Sequence, residues 1–167
     1  MFLSPAPILA APDWRDTVQR GDIVLFRFPI NKNGEHAQPK RRPCLVLDVR
    51  TTGDTKFVDL AYGTSSRRRA NRGYEVILRH PQSQALAGLD RPTRFVCARR
   101  ITVSINHSGF NEEGKPRTLL GRLDPPLMER MNAVRARIQA EADIAAYKRE
   151  RQRAEQTRRE HEARGFR

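Results

Sequence analysis

Hydrophobic and polar positions alternate with a period near two over six short stretches of the 167-residue chain, and near 3.6 over one stretch that follows them. The first strand-like stretch runs from Asp22 to Phe28, with Ile23, Leu25 and Arg27 on one face and Val24, Phe26 and Phe28 on the other. Pro29 ends it, and Asn31-Lys-Asn-Gly34 supplies turn chemistry for a polar loop that reaches Lys40. Pro43 has no N–H to give a ladder, so it should open the second strand. Cys44-Leu-Val-Leu47 is then apolar at every position, as in a strand covered on both faces. Thr51-Thr-Gly-Asp54 is a tight turn, and Lys56 to Tyr62 returns as a third strand to complete a hairpin.

Ser65 to Arg72 reads as a loop and Tyr74 to Leu78 as a fourth strand. Pro81 to Pro92 is a second loop, with a short helical turn predicted over Ala85 to Leu89. Thr93 to Ser104 alternates through Phe95, Cys97, Ile101 and Val103, but its parity breaks at Arg99-Arg100, where a bulge would restore the inward face. Asn106 to Arg117 is polar, and Leu119 to Leu123 forms a last short strand. Short strands joined by irregular loops predict a mainly β fold, a small barrel. Asp124 caps a helix that Pro125 and Pro126 can open, and Leu127, Met131, Val134, Ile138 and Ala145 make its apolar stripe. From Lys148 the stripe gives way to Arg, Glu and Gln, held by pairs such as Glu155 with Arg159 that contribute only about 0.2–0.5 kcal/mol each. The expected organisation is a flexible leader over 1–19 with Trp14 as its anchor, and a barrel with a packed C-terminal helix over 20–146. A basic, charged tail over 147–167, helical or disordered, follows, with its order frayed or dependent on a partner.

Composition sharpens this picture at its surface. Lys and Arg number 32 against 19 Asp and Glu, a net charge of +13. Such a balance favours a polyanion through phosphate contacts, the alternative being a solvated basic surface. Arg67, Arg68, Arg69 and Arg72 crowd one loop, which excludes a core strand there. The two cysteines, Cys44 and Cys97, both lie in apolar strands and read as buried core residues of a reducing compartment. The apolar start, Met1 to Pro12, lacks a basic n-region and is broken by prolines, so it makes a poor signal peptide, and it is too short to span a bilayer. A cytoplasmic protein is expected. Four scattered histidines give no metal-ligand spacing, no glycine-rich phosphate loop is present, and no cofactor is implied.

Gly21-Asp-Ile-Val24, a loop, Arg42-Pro43 and Cys44-Leu-Val-Leu47, in that order, resemble the opening of the MazF/PemK toxins. Leu120-Gly-Arg-Leu-Asp-Pro-Pro-Leu-Met-Glu-Arg-Met131 is similar to that family's final strand and C-terminal helix, so the resemblance covers roughly residues 20 to 140. It implies a small SH3-like barrel of the MazF/PemK/CcdB type carrying a C-terminal helix, usually a homodimer. It also implies an endoribonuclease that cuts single-stranded RNA without a metal and is held inactive by a cognate antitoxin. The family's arginine before the proline falls on Arg42, its threonine at the end of the third strand on Thr64, and the PemK histidine six residues before the arginine on His36. Two positions depart from the pattern. Ala37 stands where a glutamate is common, and Phe95 to Val103 holds no carboxylate, so an Asp-based acid/base scheme is missing.

The chemistry is coherent in its own terms. Cleavage of RNA by its own 2′-hydroxyl requires a cation for the phosphorane charge, groups that move two protons, and a grip on splayed bases. Arg42 can offer a planar fork to phosphate oxygens, Thr64 or Ser65 can orient the phosphate, and His36 titrates near neutrality. Lys40, Arg41 and the loop arginines Arg67, Arg68, Arg69 and Arg72 extend a track for the backbone. Each residue also has a plainer reading: Arg42 as a strand-edge ion pair, His36 as an exposed loop histidine, the arginines as a solvated loop. Two other functions stay open, a barrel that binds nucleic acid without cutting it, and a toxin of this fold directed at a protein such as DNA gyrase.

Overall fold

A computed structural model describes residues 12–29 and 39–166 of the chain. Its elements are a short helix α1 (Trp14–Thr17), strands β1 (Asp22–Phe26), β2 (Arg42–Thr52), β3 (Thr55–Thr64) and β4 (Glu75–Leu78), then helix α2 (Pro81–Leu86). Strands β5 (Thr93–Ser104) and β6 (Leu119–Arg122) and the long helix α3 (Pro125–Gly165) complete it. The strands form one antiparallel sheet in the order β4-β5-β3-β2-β1-β6, a mainly β, barrel-like architecture with a long C-terminal helix.

Both faces of the sheet are covered, which is why Cys44 to Leu47 can be apolar throughout. Leu45, Leu47, Ile23, Ala61, Phe95 and Val76 pack under Met131 and Val134 of α3. Cys44, Val46, Val24, Phe26, Val58 and Leu60 pack on the opposite side against Phe110 and Ile105. Phe110 is fully buried on a 3₁₀ turn (Ser108–Phe110) inside the segment that looked purely polar. Trp14 meets the body there, its ring 4.9 Å from that of Phe110. Burial pushes the thiol of Cys44 up to about 12 and that of Cys97 up to about 11, so both are neutral core groups.

Two boundaries differ from expectation, each for a local reason. The second strand begins at Arg42, since Phe26 of β1 pairs with it. The helix in the second loop spans Pro81 to Leu86, earlier than the predicted turn, because proline is well suited to the first helical position. Gly88 at φ +68° ends that segment. At the C-terminus, where the tail was expected to be helical or disordered, α3 continues to Gly165, well beyond its apolar stripe. Its docked part ends with Ile138 and Glu141, where Glu141 accepts a hydrogen bond from the Tyr74 hydroxyl at 2.7 Å.

β2 and β3 approach each other closely at their ends. A Cβ on Gly63 would stand 2.0 Å from the carbonyl oxygen of Pro43 and 2.9 Å from the Phe95 ring. Glycine is therefore required by space. Gly63→Ala should destabilise the fold by about 1–3 kcal/mol in urea unfolding, the range for overpacking a filled site. A variant as stable as the wild type would show that the strands separate freely here.

Candidate functional site: a cationic face on the sheet

Strand pairing decides which side chains share a face. Cys44 pairs with Tyr62, and continuing that register by two residues sets Arg42 opposite Thr64. Further across the sheet Tyr62 pairs with Val96, which pairs with Glu75, while Thr64 pairs with Arg94, which pairs with Ile77. Directly paired residues project to the same side, so Arg42, Tyr62, Thr64, Arg94 and Glu75 share the face opposite the one α3 covers.

Tyr62 is the hub. Nη1 of Arg42 donates to its hydroxyl oxygen at 2.7 Å, with the guanidinium carbon 5.2 Å from the ring centroid. Arg99 stacks on the same ring at 4.3 Å and reaches toward Phe28 at 5.9 Å. Phe28 meets Tyr62 edge-on at 5.3 Å. Two guanidinium groups thus crowd one phenol, and among the described residues neither forms an ion pair with a carboxylate. The Nε of Arg42 is also buried with no hydrogen-bond partner among those residues. Like charges this close repel, and an unpaired buried donor costs about 1–3 kcal/mol. A bound anion answers both.

The hydroxyl groups are arranged as donors. Thr64 Oγ1 accepts from the Ser66 N–H at 3.1 Å, and Tyr62 Oη accepts from Arg42, so both hydroxyl protons stay available to a ligand oxygen. The Thr64 contact is itself braced. Arg94 Nε donates to the Ser66 carbonyl oxygen at 2.6 Å, and Arg94 Nη1 pairs with the buried Glu75 at 2.5 Å. Glu75 therefore fixes Arg94, Arg94 fixes Ser66, and Ser66 orients Thr64.

Beyond Arg94 the face opens into a cleft of about 810 Å³ walled by Ser65 to Arg69, Arg72, Arg79 and Arg91 to Arg94. Arg67, Arg68, Arg69 and Arg72 are all exposed there. The structure thus gathers Arg42, Thr64, Ser65 and the loop arginines along one face. Lys40 is exposed beside them in sequence, and His36 lies outside the described residues. Arg41 points elsewhere. Its side chain is 3% exposed, with Nε on Glu112 at 2.8 Å and its Nη atoms on the carbonyl oxygens of Phe110 and Lys115 at 2.9 and 3.0 Å. Its donors are occupied within the protein, where it ties down the segment from Phe110 to Arg117, apart from the other residues of the expected track. Lys115 and Arg41 together hold the Glu112 carboxyl below its ordinary value.

Tyr62, Arg99, Arg94 and Glu75 were not singled out in the sequence. Tyr62 was legible, standing two residues before Thr64 on the same side of a strand. Arg99 was half-legible, since the register between β3 and β5 shifts between Ala61 and Tyr62, beside the parity break that marks it. Arg94 and Glu75 meet only through strand register. Among the described residues no cluster of three or more His, Cys, Asp or Glu is placed to hold a metal ion, and no helix is long and apolar enough to cross a membrane.

A barrel-like sheet with a cationic, hydroxyl-lined face is the class of protein that fold and site define. The model of the PemK-like, MazF-like toxin of type II toxin-antitoxin systems matches residues 19–140, and the chain belongs to that family. Membership implies an antitoxin protein as partner. A comparison with curated proteins gives no match.

The two adjacent arginines separate cleanly in a stability experiment. Arg41→Ala strips the half-buried Glu112 carboxylate and two carbonyl groups of a donor and should clearly lower the midpoint of urea unfolding. Arg42→Ala relieves one of two crowded cations and should change stability by about 1 kcal/mol or less. Equal losses would mean that Arg42 is a structural arginine.

Proposed function

We propose that the protein is a metal-independent endoribonuclease toxin that cuts single-stranded RNA by attack of the RNA's own 2′-hydroxyl. The observation that carries this reading is the pair of guanidinium groups, Arg42 and Arg99, gathered on the Tyr62 ring with no carboxylate partner among the described residues. In the reaction the 2′ oxygen bonds to the adjacent phosphorus, the bond from phosphorus to the 5′ oxygen breaks, and the products are a 2′,3′-cyclic phosphate and a 5′-hydroxyl. The 2′ proton leaves to a base and the 5′ oxygen gains one. Arg42 offers its unused donors to the phosphorane oxygens, where charge grows most in the transition state. Thr64 and Tyr62 donate hydroxyl protons to the same phosphate. His36 is the proposed proton carrier, imidazole being the side chain whose ordinary pKa suits such transfer.

Lys40, Ser65 and the arginines from Arg67 to Arg72 hold the backbone on either side of the scissile phosphate. The family resemblance supports a homodimer. Two buried, unpaired thiols suit the reducing cytoplasm in which RNA and an antitoxin would be met.

Two measurements test the proposal. Induced wild-type protein should produce new 5′ ends in cellular transcripts mapped by primer extension, and Arg42→Ala should abolish them. Equal cleavage by both proteins would refute the role of Arg42; intact RNA with loss of DNA supercoiling would redirect the reading to a protein target. For the track, the Arg67/Arg68/Arg69 triple alanine should flatten the salt dependence of RNA binding by about 2 in log–log slope, at about 0.7 per phosphate contact. An unchanged slope would remove those arginines from the interface.

A further inference from the structure

The family match stops at residue 140, but the helix does not. From Glu141 to Gly165, α3 extends by about 37 Å at 1.5 Å per residue. It leaves the body at a particular place. Glu141 is bonded to the Tyr74 hydroxyl, and the Arg137 guanidinium lies 4.6 Å over the Tyr74 ring. Gly73 and Tyr74 close the loop that carries Arg67 to Arg72 and both meet Arg137, so the extension departs beside the end of that loop, around the β4 edge of the sheet from the cleft.

What the extension presents is charge. Carrying the apolar stripe onward from Ile138 gives Glu141, Ala145, Lys148, Gln152 and Glu155, which is no seam for a second helix. Lys148, Arg149, Arg151 and Arg153 instead stand within six positions around a single acid, Glu150. None of these four cations has an ion-pair partner among the described residues, whereas Arg158 and Arg159 are both bridged to Glu155 at 2.9 and 3.0 Å. Lys148 lies two turns beyond Glu141 on the same side of the helix, about 10 Å from the point of departure. Tyr147 adds an aromatic surface, 60% exposed, with the Arg151 guanidinium 6.0 Å from its ring. Unpaired cations beside an exposed aromatic are the means by which proteins hold single strands, phosphates on the cations and a base on the ring.

We propose that the extension of α3 is a second RNA-binding surface: a strand held at Arg42 crosses the arginine loop and continues onto Tyr147 and the Lys148 to Arg153 collar. The proposal rests on the reading of RNA as the substrate. An antitoxin helix would need an apolar stripe, and the large exposed apolar groups of the extension, Ile144, Tyr147 and Phe166 at its end, form none.

The test compares full-length wild type with the Lys148/Arg149/Arg151/Arg153→Gln variant, on single-stranded RNA of about 6 and about 30 nucleotides. The variant should lose at least about tenfold in affinity for the long RNA, with the log–log salt slope falling by about 2–3. Binding and cleavage of the short RNA should stay unchanged. An unaltered long-RNA slope, or an equal loss at both lengths, overturns the proposal; so does retained RNA binding with loss of a protein partner. If far-UV circular dichroism shows that this variant loses helix, Tyr147→Ala serves instead. It should weaken long-RNA binding several-fold at constant slope, and no change overturns the proposal. Failure of the nuclease reading is distinguishable: RNA stays intact with wild type while binding still depends on RNA length.

Discussion

The site depends on how closely β2 and β3 approach at Pro43 and Gly63. The proline carbonyl occupies the space that any side chain at residue 63 would need, so the two strand ends meet in one register. That register sets Arg42 opposite Thr64 and places Tyr62 diagonally beside Arg42. The adjacent β3–β5 pairing then brings in Arg94, and its irregularity next to Tyr62 leaves Arg99 free to lie over the ring. The proposed phosphate site is thus assembled from three strands: Arg42 on β2, Tyr62 and Thr64 on β3, and Arg94 and Arg99 on β5. The rigid sheet positions them better than mobile loops would.

Charge is the second constraint. Paired arginines serve structure here: Arg41 ties down the segment from Phe110 to Arg117, and Arg94 joins buried Glu75 to the Ser66 carbonyl. The arginines without such partners cluster on the sheet face, in the adjoining loop and on the emerging helix. A net charge of +13 is therefore organised: occupied guanidinium groups tie the fold together, and the open ones form the surface proposed to meet a polyanion. The neighbours Arg41 and Arg42 show the division most clearly.

Much of the fold could be read from alternation alone. The consecutive apolar residues Cys44 to Leu47 indicate a strand covered on both sides, and the stripe from Leu127 to Ile138 marks the helix that covers one of them. Arg42 and Thr64 were legible because proline and a strand end punctuate the sequence beside them. The tie made by Arg41 was not legible, because its partner Glu112 lies 71 residues away and carries no pattern that announces the contact. Arg94 and Glu75 were invisible for the same reason: cross-strand partners follow from register, which alternation in one strand cannot give. The continuous α3 exceeded its stripe because the stripe reports packing, while i,i+3 and i,i+4 pairs such as those of Glu155 support helix without any core.

The central claim concerns chemistry at Arg42, and the chemical identity of the ends tests it most directly. Purified protein should be incubated with a long single-stranded RNA in the presence of EDTA, and the fragments mapped. The account predicts discrete cuts that leave 2′,3′-cyclic phosphate, or the 3′-phosphate it hydrolyses to, and 5′-hydroxyl ends. RNA that stays intact, or fragments that carry 5′-phosphate ends, would contradict it.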